Sequence, residues 1–201
     1  MLLSLLSLFY YETKDCYGAS WLKVFYHDSS TGSYFQSYSE ALSINLTKRY
    51  SIIGSIDERF KNNDKFEFLL EYPQYNKINR WKQTLNPKDN PEVEGMQAEG
   101  YEAVNISFHG KSWGGLVKSS DSRTALDGSA GSLSWYFSIG CYTSSWKPNL
   151  FPGPAIDSDT AYAVSEVYMW VRIDNTPYKS TYNAKKKSIL SRIGLFFAIV
   201  M

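Results

Sequence analysis

Asn79-Arg80-Trp81-Lys82-Gln83-Thr84, Trp113-Gly114-Gly115-Leu116, Asp127-Gly128-Ser129, Trp135-Tyr136-Phe137-Ser138-Ile139-Gly140, Pro152-Gly153-Pro154 and Val167-Tyr168-Met169-Trp170-Val171-Arg172 follow one another between positions 79 and 172. Aromatic and β-branched runs alternate there with glycine, proline and Asp-Gly punctuation, the pattern of strands separated by turns. In the last run Val167, Met169 and Val171 fall on one side of an extended chain, and Tyr168, Trp170 and Arg172 on the other. Many short strands with such punctuation predict a mainly β, β-sandwich-like fold with one or two short helices.

Outward from this stretch, Phe66 to Tyr72 is the clearest strand and is ended by Pro73. Trp21 to His27 reads as the first strand, and Val104 to Phe108 alternates cleanly. Leu133 to Cys141 is nearly continuous in apolar residues, as a central strand requires. Helical spacing suggests a short helix over Ser37 to Asn45 and a second turn over Ile52 to Phe60, closed by Asn62-Asn63-Asp64. Gly110 to Gly115 reads as a turn or bulge, and Asp127-Gly128 as a tight turn. Asn86 to Gly100 and Lys147 to Asp159 read as exposed loops. The organisation that results is a leader or N-terminal extension over 1–20, one β-rich domain over 21–173, and a basic, then apolar tail over 174–201.

A chain of 201 residues supports one sizeable core, and a formal charge of +1 gives no steering toward nucleic acid. The two cysteines, Cys16 and Cys141, leave open both a single bridge and a reducing compartment. The sequons Asn45-Leu46-Thr47 and Asn105-Ile106-Ser107, and the apolar run Leu2 to Phe9, point instead to a secreted or surface protein. Lys185-Lys186-Lys187 before the apolar end Gly194 to Met201 suggests membrane contact, although the run is short of the roughly 20 residues a span needs.

Catalytic patterns are sparse. His27 and His109 are the only imidazoles, without the ligand spacing of a zinc site, and no Gly-x-Ser-x-Gly elbow occurs. Cys141 with His109 is the one thiol–imidazole combination, but Cys141 ends an apolar strand where an inert thiol is usual. Glu67 and Glu71 share a strand face about 13 Å apart, too far for a glycosidase pair, and read as exposed. Asp121, Asp127, Asp157 and Asp159 offer oxygens for calcium without any EF-hand spacing. No catalytic residue, metal site or cofactor is therefore expected. Trp81, Trp135 and Trp170 read as core pillars. Trp113 beside two glycines, Trp146 beside Pro148, Arg80 and Asp127 are the candidate binding residues.

The ordered series also resembles a cysteine-poor domain of invertebrate surface or secreted proteins and of expanded trichomonad protist families. Its elements are Asn79 to Thr84 with Asn86-Pro87, Gly100-Tyr101, Trp113 to Leu116, Asp127 to Ser129, Trp135 to Gly140, Pro152 to Pro154 and Val167 to Arg172. The segment from Trp21 to Pro73 is similar to the protist form. The resemblance spans about residues 21–173, brings no catalytic residues, and implies an adhesion or lectin-like role. The expected function is a non-enzymatic recognition module binding protein or glycan at the cell surface. An intracellular structural protein docking on a larger assembly, for example a cytoskeletal one in the cytoplasm, is the alternative.

Overall fold

The computed structural model describes residues 12–28, 45–46, 50–91, 97–107, 113–118, 126–129, 135–139, 155–157, 161–162 and 166–174. The strands in chain order are β1 (Thr13–Cys16), β2 (Ala19–Asp28), β3 (Asn45–Leu46), β4 (Tyr50–Ser51), β5 (Phe66–Tyr72), β6 (Lys77–Gln83) and β7 (Glu102–Ile106). They continue as β8 (Trp113–Lys118), β9 (Leu126–Ser129), β10 (Trp135–Ile139), β11 (Ala155–Asp157), β12 (Ala161–Tyr162) and β13 (Glu166–Arg172). The molecule is mainly β and sandwich-like.

The larger sheet has eight strands in the order β3-β4-β2-β13-β5-β6-β7, with β1 paired to β2 beside β4. A five-stranded sheet, β12-β11-β10-β9-β8, faces it. All the strand pairs are antiparallel. The last strand, β13, inserts between β2 and β5 and so closes the large sheet from a distance in sequence.

Alternation decides which side chains meet between the sheets. Phe66, Phe68, Leu70 and Tyr72 of β5 join Val167, Met169 and Val171 of β13 in the main core. Trp113, Leu116 and Leu126 reach that core from the smaller sheet. In β2 the register shifts opposite Met169/Trp170, and Val24 and Phe25 are consecutive buried core residues. A hydrophobic core of this size offsets much of the chain's conformational entropy.

Several turns follow from local chemistry. Asn63 and Asp64 take left-handed angles (φ 51° and 60°) between paired Asn62 and Lys65, a geometry these side chains tolerate. Ile53–Ser55 and Glu58–Phe60 are 3-10 turns that bury Ile53 and Phe60, as the spacing over 52–60 predicts. A third 3-10 turn, Pro73–Tyr75, ends β5 at its proline. The proposed helix over 37–45 falls outside the described residues except for Asn45, which lies in β3.

Four expectations need correction. Asp127-Gly128 is not a turn but lies within β9. The loop over 86–100 is not wholly exposed, because Asn86, Asn90 and Ala98 are buried. The segment 147–159 contains β11. The ordered sheet also begins before Trp21, since Lys14 pairs with Trp21 and Cys16 with Ala19. No helix among the described residues is long and apolar enough to cross a membrane.

Candidate functional site

The candidate binding residues do not converge. Trp113 and Asp127 are buried strand residues, at 2% and 5% exposure, so neither is a loop contact. Trp146 lies outside the described residues, as do His109 and Cys141. Arg80 sits on the opposite face of the large sheet, turned away from the smaller one.

The buried set forms the joint between the sheets. Trp81 of β6 meets Trp113 of β8 edge to face, with ring centroids 4.9 Å apart. Beside them Gln83, wholly buried, acts as a strand surrogate. Its Oε1 accepts from the Trp81 Nε1–H at 2.7 Å and the Leu116 N–H at 3.0 Å. Its Nε2 donates to the Leu85 and Leu116 carbonyls at 2.8 and 3.0 Å. Every polar atom of that side chain is thereby satisfied, as burial demands.

Glycine is required twice here. Gly115 has φ +87°, and a Cβ there would sit 2.8 Å from the Ala98 Cβ and 3.1 Å from the Gln83 Oε1. At Gly128 a Cβ would meet the Trp113 ring at 2.3 Å. The Asp-Gly dipeptide therefore serves close packing rather than a turn. The β8–β9 register shift between Trp113 and Val117 is the bulge anticipated around Gly110 to Gly115.

The outer face of the large sheet carries different chemistry. Its side chains lie in cross-strand rows set by register. One row is Tyr26, Tyr168, Glu71 and Ile78. The next is Lys23, Trp170, Leu69, Arg80 and Asn105. In the third, Trp21 lies opposite Arg172, which reaches Glu67.

Ion pairs and aromatic rings interleave across these rows. Glu67, buried between two guanidinium groups, accepts from Arg80 Nε on one oxygen and from Arg172 Nη1 at 2.7 Å on the other. The Arg80 guanidinium also lies 5.3 Å from the Trp21 ring centroid, and Lys14 Nζ 4.1 Å from that of Trp170. Lys14 pairs with Glu71, which accepts from the Trp170 Nε1–H at 2.8 Å. Tyr26 and Tyr168 pack at 4.6 Å and share Glu166 Oε1 as acceptor. Burial, and then the Glu166 carboxylate, push both phenols upward, so both remain hydrogen-bond donors at neutral pH.

Two sequence readings change accordingly. Glu67 is not exposed but buried under the two arginines. Trp170 is buried as expected, yet in a satellite cluster with Ala19, Trp21 and Leu69 on the outer face, whereas Trp81 is a pillar between the sheets.

At one corner of this face, Asp15, Cys16, Ser20 and Asp174 line a cleft of about 350 Å³. Its acids are engaged: Asp15 accepts from the Ser20 hydroxyl, and Asp174 from the Ser20 N–H and from Arg172. Burial pushes the Cys16 thiol up and keeps it protonated. Among the described residues no group of three or more His, Cys, Asp or Glu is placed to hold a metal ion.

Sequence reasoning did not single out Tyr26, Tyr168, Glu67 or Arg172 for binding. The available signal was parity: Tyr168, Trp170 and Arg172 share one side of their strand, as do Glu67 and Glu71 of theirs. No protein-family model, curated protein or solved structure matches the chain.

Proposed function

We propose that the domain is a non-enzymatic recognition or adhesion module of the cell surface, and that the outer face of its eight-stranded sheet contacts a protein partner. One observation carries this reading. A sheet face turned away from the core ordinarily presents small polar and charged side chains, whereas this one presents the half-buried Tyr26 and Tyr168 with Arg80 and Arg172, braced from beneath by the buried Trp21 and Trp170. Tyr, Trp and Arg are the residue types that dominate binding energy at protein interfaces. The broad, cross-braced surface suits a protein better than a small molecule, which needs a deeper enclosure. The resemblance of the motif series to surface domains of invertebrates and trichomonads is in keeping with the same assignment.

The test is binding of labelled, purified protein to cells of its native source. Tyr26→Ser/Tyr168→Ser is expected to weaken binding at least tenfold while leaving the cooperative unfolding transition in place. Protease treatment of the cells is expected to abolish binding and glycosidase treatment to spare it; the reverse pattern would make the partner a glycan. Unchanged binding by the double variant would rule this face out. Recovery of the native protein only in a cytoskeletal fraction would favour intracellular docking instead.

A further inference from the structure

We infer that Asn45 and Asn105 are acceptor sites for N-linked glycans that cap the two flanks of the large sheet; this rests on the surface reading above. The chain has two N-x-S/T sequons, Asn45-Leu46-Thr47 and Asn105-Ile106-Ser107. The topology places them on β3 and β7, the first and last strands of the eight-stranded sheet's order. Asn45 lies opposite Ser51 at one end and Asn105 opposite Arg80 at the other.

An outermost strand offers its second row of N–H and C=O groups to any extended chain, a hazard that proteins block with charge, proline, bulges or cover. In β7, Glu102 to Asn105 are all exposed, and Val104 is 41% exposed beside the β6–β7 register shift. A bulky, hydrated glycan on the same strand supplies such cover. Because Asn105 stands opposite Arg80 and shares its face, the sugar would also bound the outer face on that flank and direct a partner toward Tyr26 and Tyr168.

The fold also orders the event in time. Ser107 continues the β6–β7 ladder. Its N–H donates to the Ile78 carbonyl at 2.9 Å, and its hydroxyl donates to that carbonyl at 2.7 Å while accepting from the Ile78 N–H at 2.9 Å. The sequon hydroxyl is therefore occupied once β7 has paired, and transfer precedes that step. In the transfer, the asparagine amide nitrogen attacks the anomeric carbon of a lipid-diphosphate oligosaccharide. One C–N bond forms, the C–O bond to the diphosphate breaks, the amide loses a proton and the lipid diphosphate leaves. Nothing is oxidised or reduced.

The experiment secretes the full chain, behind an appended cleavable leader, from a glycosylating cell and weighs it before and after enzymatic deglycosylation. Two glycan increments are expected. Asn45→Gln and Asn105→Gln should each lose one, Ser107→Ala should lose the increment that Asn105→Gln loses, and Ser107→Thr should keep both. Folded, secreted protein at the bare polypeptide mass would overturn the inference, as would an Asn105→Gln protein that keeps both increments. Protein glycosylated in that cell yet bare in its native source would support the acceptor sites and overturn the surface reading.

Discussion

The joint between the sheets and the outer face of the larger sheet both combine tryptophan with polar side chains, yet they stabilise the molecule in different ways. At the joint, Trp81 and Trp113 pack edge to face around a neutral amide, Gln83, whose partners are all in place. On the outer face, Trp21 and Trp170 lie under cations, and their neighbours Glu67 and Glu71 are ion-paired. Neutral, fully buried hydrogen bonds are insensitive to salt and costly to break. Charged pairs nearer solvent are screened and individually worth less. The first region suits a fixed scaffold, and the second stays open to screening by the solvent.

The largest effects are expected at the joint. Trp81→Ala should cost about 4 kcal/mol in a urea titration, since it empties a wholly buried site. Gln83→Leu should cost about 3 kcal/mol, because the Leu116 N–H and the Trp81 Nε1–H lose their acceptor. A cost below about 1 kcal/mol for either would remove the distinction between the regions.

The outer face should respond more weakly and with a salt signature. Glu67→Gln is expected to cost about 2 kcal/mol, and the cost should shrink at high salt because Arg172 is partly exposed. The Gln83→Leu cost should be the same at both salt concentrations. Equal salt dependence in the two variants would contradict the comparison.

The smallest expected effect is a pH response at the corner of the face. Burial raises the Asp174 carboxyl, but the Ser20 N–H and the Arg172 guanidinium outweigh it and hold the group below the usual carboxylate range. A depressed folded value contributes stability above the ordinary aspartate value of about 3.9, and that contribution is lost as pH falls through the lowered one. Asp174→Asn should therefore flatten the acid limb of a Tm-versus-pH curve between about pH 5 and 2 and bring the two curves together below it. Parallel curves across that range would show that Asp174 carries no such linkage.

Much of the fold was legible in the chain because alternation is local. Phe66 to Tyr72 and its Pro73 stop, the central run around Trp135 to Ile139, and the two faces of Val167 to Arg172 follow from neighbours in sequence. The site was less legible for a topological reason. The outer face exists only because β13 inserts between β2 and β5, which brings Tyr168 beside Tyr26 and Arg172 beside Glu67. Strand parity identifies which residues share a side but not which strands adjoin.

The glycines misled for a related reason. Beside Trp113 and after Asp127 they resemble loop punctuation, while their function is to leave room for Trp113, Trp81 and Gln83. That requirement comes from the opposite strand or the opposite sheet, so it has no local signature.

The most direct test of the joint is a double-mutant cycle between Gly128 and Trp113. Gly128→Ala places a methyl against the indole and should cost about 2 kcal/mol in the wild-type background. In a Trp113→Leu background the space is open, and the same substitution should cost less than about 0.5 kcal/mol, a coupling of at least about 1.5 kcal/mol. Costs that add to within about 0.5 kcal/mol would contradict a Trp113 ring seated on Gly128, and with it the assignment of the glycine-flanked tryptophan to the interior.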